Sequence, residues 1–315
     1  MYDVIILGSG PAGLTAGIYS VRAGYKTLIV AGTKWGGQLM LTTLVENFPG
    51  FVEGIQGPEL MMNMRKQVER LGVEFLNTDF EQADFSSRPF KIKAEGKIHE
   101  TKSVIVATGA DSLWLNIPGE MQLRGKGVST CAVCDAFFFR DKNTVVVGGG
   151  DSAMEEALVL AKVAKTVTIV HRRDGFRASE AMQKRVFSEP KIKVLWNKAV
   201  TKYMGSDHVT GVGLKDLKTG KEEEFATDGV FIAIGHKPNT DKLKGIELDA
   251  KGYIVKKEIK EKGLMKYRSA TSVPGVFVGG DVHDYRYKQA ITASAFGCMA
   301  ALDVDKWMEE NEKSS

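Results

Sequence analysis

The chain has 315 residues, 43% apolar and 26% charged, the balance of a globular protein with about two domains. A net charge of +4 is too small to point to nucleic acid, and no Lys/Arg block with interleaved aromatics occurs. No apolar run approaches the length that spans a bilayer, and three cysteines fit a reducing cytosol.

Val4–Leu7 is a short apolar run suited to a parallel strand buried on both faces. No basic segment precedes it and Gly8 ends it, so a strand is expected there and not a secretory leader. Gly8-Ser9-Gly10-Pro11-Ala12-Gly13 follows, then a helical pattern over Leu14–Ala23 and a second strand over Lys26–Val30. Strand, Gly-x-Gly-x-x-Gly, helix and strand make a dinucleotide-binding unit. The glycines let the backbone approach a pyrophosphate that rests on the helix N-terminus. The competing reading is a tight turn without ligand. An acid should close the second strand and hold a ribose, but Ala31-Gly32-Thr33-Lys34 stands there, which excludes an ordinary NAD site.

Trp35-Gly36-Gly37-Gln38-Leu39 through Glu46-Asn47-Phe48-Pro49-Gly50 reads as a long loop, a type that is usually functional. A helix is expected over Pro58–Leu71, and short strands over Phe90–Ala94, Ile98–Thr101 and Val104–Ala107. Asp111–Glu120, with Pro118 and Gly119, reads as a linker.

Cys131-Ala132-Val133-Cys134-Asp135 comes next. Two cysteines at this spacing close a small, reducible disulfide, and at least one thiol has a pKa that is easily lowered. A structural staple over so short a loop stabilises little. A zinc site needs two more ligands at suitable spacing, and Cys298 stands alone. A redox role is therefore expected, the more so because a βαβ pattern follows directly.

That second unit has a strand over Thr144–Val147, then Gly148-Gly149-Gly150-Asp151-Ser152-Ala153, a helix over Met154–Ala164 and a strand over Thr166–Val170. Here the strand ends in His171-Arg172-Arg173, with Arg177 close behind. Arginines at this place accommodate the 2′-phosphate of NADP, where an acid would select NAD. The competing reading is a solvated basic turn. Val194–Trp196 and Val230–Ile234 are further strands, around a turn at Lys218-Thr219-Gly220. Gly235-His236-Lys237-Pro238-Asn239-Thr240 echoes Thr108-Gly109, which implies two nucleotide-binding domains of one type, one inserted in the other. A turn at Ser272–Gly275, a strand over Val276–Val278, Gly279-Gly280-Asp281 and a small-residue helix over Ala290–Leu302, with Cys298 buried on it, complete the chain. The polar tail Glu309–Ser315 is expected to fray.

Taken together, the chain resembles the low-molecular-weight thioredoxin reductases of bacteria and archaea, nearly end to end. The resemblance is carried by Gly8–Gly13, Gly36–Leu39, Glu46-Asn47, Ala107–Ala110, Cys131–Asp135, His171–Arg177 and Val276–Ile291. A Cys-x-x-Cys inside the second domain sets this family apart from related disulfide reductases. The resemblance implies an α/β protein of two Rossmann-like domains, an FAD domain (1–112 and 242–315) interrupted by an NADPH domain (113–241). It implies FAD contacts at Ser9, Gly10, Pro11, Ala12, Gly36, Gly37, Gln38, Leu39, Asn47, Thr108, Gly109, Asp281, Lys288, Gln289 and Ala290. It implies NADPH contacts at Ser152, His171, Arg172, Arg173, Arg177 and Ile234. Cys134 matches the cysteine that faces the flavin, Cys131 the one that attacks thioredoxin, and Asp135 the acid–base partner. A cytoplasmic homodimer is implied, with rotation of one domain against the other about hinges near Asp111–Pro118 and His236–Asp241.

Two departures stand out: Lys288 replaces an expected Arg, and Val255–Ala270 is longer and more basic than the family pattern. Relatives fed by ferredoxin or reduced flavin, and dithiol oxidases of the same fold, lose the basic motif that His171-Arg172-Arg173 retains. A peroxiredoxin-reducing relative carries extra thioredoxin-like domains. A nucleotide sensor without turnover has no use for an intact Cys-x-x-Cys-Asp.

Overall fold

In the computed structural model, which describes residues 1–312, the opening apolar run forms strand β1 (Tyr2–Leu7). Val4 and Ile6 feed one core cluster, Ile5 and Leu7 another, and all four are fully buried. Period-2 alternation in a strand covered on both faces produces this split, and each such side chain stabilises the fold by about 1.5–3 kcal/mol. Helix α1 (Pro11–Arg22) begins on the proline, three residues earlier than periodicity alone suggests, because proline is preorganised for a first helical position. Strand β2 (Thr27–Val30), helix α2 (Gly57–Arg70) and strands β3 (Glu74–Leu76), β4 (Phe80–Asp84), β5 (Phe90–Ala94) and β6 (Lys97–Val106) follow. The expected loop at 35–50 holds a 3-10 turn, Gly37–Leu41, and a short strand, Leu44–Val45, that pairs with Ile55–Gln56 just beyond it.

The chain then forms a separate unit, Ser112–His236. It contains a one-turn helix α3 (Glu120–Leu123), β7 (Val128–Ser129), the short α4 (Ala132–Asp135) and β8 (Asn143–Gly148). Next come α5 (Asp151–Ala161), β9 (Thr166–His171), α6 (Glu180–Phe187) and β10 (Ile192–Trp196). A three-stranded antiparallel sheet, β11 (Lys198–Met204), β12 (Gly211–Asp216) and β13 (Glu222–Ala226), precedes β14 (Gly229–Ala233). The chain re-enters the first unit at Lys237. There it forms β15 (Leu243–Lys244), the hairpin β16 (Ile259–Glu261) and β17 (Leu264–Tyr267), β18 (Val276–Val278) and α7 (Ala290–Glu312).

Each unit is built on five parallel strands, four of which match in chain order, while the edge strand comes last in the chain in the first unit and first in the second. The first unit runs β18-β6-β1-β2-β3, and the second β7-β14-β8-β9-β10. In the first, β5, β4 and β15 extend the sheet through antiparallel pairing of β5 with both β6 and β4. In both, the strand order reverses beside the strand that leads into the Gly-rich turn, the place where open α/β sheets bind ligands.

Several expectations need correction. The strands expected at Ile98–Thr101 and Val104–Ala107 are one strand, β6. The polar residues between them do not break it, because Thr101 Oγ donates to Ser103 O (2.8 Å) and Ser103 Oγ to Gly275 O (2.8 Å). The chain passes between its two compact units at 111/112 and at 236/237. Asn239 N–H donates to Gly109 O (3.0 Å) and the Thr240 hydroxyl to Gly252 O (2.8 Å), which ties both residues to the first unit. The final helix passes Leu302 because Val304, Trp307 and Met308 are buried against the core. Its part from Glu309 to Glu312 is therefore ordered helix, while the tail expected to fray lies, at 313–315, outside the described residues. Cys298 is half-buried, not buried, and meets the hydroxyl of Tyr19 on α1. The basic segment 255–270 forms the β16–β17 hairpin. No helix among the described residues is long and apolar enough to cross a membrane.

Candidate active site

Cys131 and Cys134 are joined as a disulfide with their Cα atoms 5.3 Å apart. Cys131 leaves β7 in extended conformation and caps α4, so that the Cys134 N–H donates to Cys131 Sγ at 3.2 Å. The Cys131 N–H donates to Ser129 Oγ (3.0 Å), and the Asp135 N–H to the Cys131 carbonyl (3.1 Å). From α5, the Glu156 carboxylate accepts the N–H of the wholly buried Ala132. Cys134 is exposed and Cys131 half-buried. Burial raises the pKa of Asp135 from its ordinary value, partly offset by a hydrogen bond with the Ser129 side chain. A carboxyl with a raised pKa beside a reducible disulfide is suited to proton transfer when a sulfur leaves.

The Gly-rich turn after β8 lies in the same unit. Helix α5 starts with no side-chain cap, leaving its first amides for a ligand. Arg177 N–H donates to Gly149 O (2.8 Å), and Ser179 donates through N–H and hydroxyl to Asp151 Oδ1 (both 2.9 Å). The loop carrying Arg172, Arg173 and Arg177 is thereby fastened to the turn, with all three arginines exposed. His171 differs: it is 5% exposed, its Nε2 meets Gly175 O at 3.1 Å, and its ring packs against Phe176 and Trp196. It supports the arginine loop from beneath. Ser152, in the first turn of α5, and Ile234, just past β14, are exposed.

In the first unit, the N-terminus of α1 likewise has no side-chain cap and no acid in its first turn. A Cβ at Gly13 would lie 2.0 Å from Gly8 O, so only glycine lets α1 approach the β1 turn this closely. Ser9 Oγ donates to Ala31 O (2.7 Å) and accepts from Gly36 N–H (3.1 Å), which draws the Gly36-Gly37-Gln38-Leu39 turn over Gly10, Pro11 and Ala12. Gln38 reaches Asp111 (2.9 Å), Asn47 reaches Gln289 (3.3 Å), and Thr108 Oγ donates to Asn239 O (2.7 Å) beside Gly109. Lys288 N–H donates to Asp284 (3.2 Å) just before Ala290 opens α7. Asp281 Oδ1 is buried with no hydrogen-bond partner among the described residues. Burial, then the nearby Asp284, push its pKa up to about 7. A buried orphan oxygen in a turn-lined cradle fits a hydroxyl-bearing ligand.

Ser129, Glu156 and Asn239 are the contacts that sequence reasoning missed. Each acts on a residue distant in the chain or through a generic hydroxyl or amide, so no local pattern announces it.

A reducible disulfide and a Gly-rich strand-to-helix turn on one unit, with a second such turn on the other, are the parts of a disulfide oxidoreductase. The chain belongs to the pyridine nucleotide-disulphide oxidoreductase family, which it matches over residues 2–297. Within that family its relatives include the thioredoxin reductase of Mycolicibacterium smegmatis, 48% identical over 99% of this chain and 98% of that one. The thioredoxin reductase of Coxiella burnetii is 45% identical over 98% and 97%. Among solved structures, thioredoxin reductase from Giardia duodenalis superposes with a TM-score of 0.91 at 43% identity, covering 98% of this chain and 99% of that one. That from Streptococcus pyogenes gives 0.90 at 39%, with the same coverage.

Proposed function

We propose that the protein is an NADPH-dependent thioredoxin-disulfide reductase using FAD. The observation that carries this reading is the Cys131–Cys134 disulfide, set in a capped turn on the same unit as an arginine-bearing nucleotide turn. FAD would be held in the first unit by Ser9–Ala12, Gly36–Leu39, Asn47, Thr108, Gly109, Asp281 and Lys288–Ala290. The unpartnered Asp281 oxygen supports this assignment. NADPH would be held in the second unit, with Ser152 and Ile234 lining the site and Arg172, Arg173 and Arg177 on the 2′-phosphate. His171 would fix that loop.

The bound cofactors supply a hydride and relay its two electrons. The protein's own part is disulfide exchange. Two electrons and two protons convert the Cys131–Cys134 disulfide to a dithiol, with Cys134 as the sulfur that receives the electrons. The Cys131 thiolate then attacks the disulfide of oxidised thioredoxin, giving a mixed disulfide and a thioredoxin thiolate that takes up a proton. Cys134 attacks the mixed disulfide, restores the Cys131–Cys134 bond and releases the second thioredoxin thiol. The Cys134 amide, aimed at Cys131 Sγ, favours negative charge on the attacking sulfur, and the raised pKa of Asp135 suits it to hand over the proton. A cytosolic homodimer completes the reading, supported by the resemblance and by a composition with three cysteines.

Anaerobic addition of NADPH, and separately NADH, to the purified protein tests this by the flavin's visible absorbance. Fast bleaching by NADPH and slow bleaching by NADH is expected. A yellow protein that neither nucleotide bleaches would move the electron source to ferredoxin or free reduced flavin.

A further inference from the structure

The peptide bond that follows Cys131 is held by a residue 24 positions away. Ala132 is wholly buried, and its N–H donates to the Glu156 carboxylate on α5. Helix α5 also begins at the Gly148-Gly149-Gly150 turn, so one rigid rod carries both the nucleotide turn and the anchor of the redox pair. The neighbouring amides have other partners: Cys131 N–H goes to Ser129, Asp135 N–H to Cys131 O, and Cys134 N–H to Cys131 Sγ.

A neutral amide oxygen would satisfy the Ala132 N–H equally well, yet the acceptor is a half-buried carboxylate. Half-burying a charge is costly, so its sign calls for a reason. It sits one peptide bond from Cys131. When the disulfide is reduced, a thiolate there meets this negative charge, while the Cys134 N–H acts in the opposite sense. The other ionisable groups on α4 and on the helix packed against it are Asp135, which also stands beside the pair, Asp151 and Glu155. Asp135 bonds the Ser129 side chain, Asp151 is engaged by Ser179, Glu155 is exposed, and the 3-10 turn Ala136–Phe139 carries no charge.

We propose that Glu156 is a positioning residue of disulfide exchange, which fixes the Cys131 peptide through Ala132 and, by its charge, makes the reduced pair a stronger electron donor. A dithiol whose thiolate is stabilised is a poor donor, as in strongly oxidising pairs; Glu156 acts in the reverse direction. The proposal rests on the disulfide-reductase reading.

The test uses the full-length, FAD-loaded protein as wild type, Glu156→Gln and Glu156→Ala. A phosphine reduces the pair anaerobically, short iodoacetamide pulses are given across pH 5 to 9, and mass spectrometry reads alkylation of Cys131. Glu156→Gln keeps an acceptor for the Ala132 N–H and removes the charge. Its alkylation midpoint is expected about one pH unit below wild type, roughly tenfold more thiolate on the acid side. Glu156→Ala is expected to show that shift and, in addition, a loss of thioredoxin turnover that Gln largely restores. An unchanged midpoint in Glu156→Gln overturns the proposal, and this isosteric variant decides the matter even if Glu156→Ala fails to fold. Because a phosphine supplies the electrons, failure of NADPH to reduce the pair would count against the proposed function and leave this measurement intact.

Discussion

Arg177 donates its backbone N–H to the carbonyl of Gly149 at 2.8 Å. The bond fastens the end of the loop that carries three exposed arginines to the turn from which α5 starts. Exposed arginines contribute little to the stability of the fold. Against a phosphate they make paired, charge-assisted hydrogen bonds. Arg172→Ala combined with Arg173→Ala should therefore leave the melting temperature nearly unchanged. The kcat/KM ratio for NADPH over NADH should fall on the order of a hundredfold, about 2.7 kcal/mol. Steady-state kinetics with both nucleotides measures this, and an unchanged ratio refutes the 2′-phosphate assignment.

His171 lies directly against Gly149. A Cβ built on that glycine would stand 2.2 Å from the ring, which is itself pinned by Gly175 O and packed on Phe176 and Trp196. Burial lowers the histidine pKa, which favours the neutral ring, and the ring serves as packing. Gly149→Ala must push the ring out, at a cost of about 1–3 kcal/mol. The expected result is a lower melting temperature and a raised KM for NADPH with unchanged FAD content. A normal KM would show that the ring does not support the nucleotide loop.

These two residues also show what the sequence made legible. Both Gly-rich turns, their flanking strands and the Cys-x-x-Cys were readable because each is a local pattern with one physical meaning. The side of the chain on which His171 falls was not, since it depends on the register of β9 against β8 and β10. The antiparallel sheet was hidden for another reason. Glu222, Glu223 and Glu224 lie in its edge strand β13, a composition that argues against a strand. Ion pairs offset this, namely Lys215 with Glu222, Lys198 with Glu223 and Lys202 with Glu224. The Glu156–Ala132 bond joins residues with no shared motif, and only the packing of α4 on α5 creates it.

The bond from the Cys134 N–H to Cys131 Sγ separates the two sulfurs by role. Cys131→Ser should retain FAD and its reduction by NADPH, yet lose thioredoxin turnover by at least a thousandfold, as expected for removal of a nucleophile. Insulin-precipitation or coupled dithionitrobenzoate assays with added thioredoxin measure the loss. Retained turnover would reassign the attacking sulfur to Cys134.

Asp281 and His283 give opposite pH slopes to stability. Burial raises Asp281 to about 7, so between its unfolded value of 3.8 and 7 the folded state holds a proton the unfolded state has lost, and stability falls as pH rises. Burial lowers His283 from 6.5 to about 4, so between 4 and 6.5 the unfolded state holds the extra proton, and stability rises with pH. Each slope is about 1.4 kcal/mol per pH unit, and in the shared window they nearly cancel. For the cofactor-stripped protein, chemical denaturation at pH 4.5, 5.5 and 6.5 should thus give nearly constant stability from this pair. Asp281→Asn leaves His283 alone and should gain on the order of 2 kcal/mol across that range, whereas His283→Gln leaves Asp281 alone and should lose a similar amount. With FAD restored, the Asp281 contribution should shrink, since a hydroxyl donating to its orphan oxygen favours the carboxylate. Parallel slopes in the two variants would show that these buried groups do not titrate as their surroundings require.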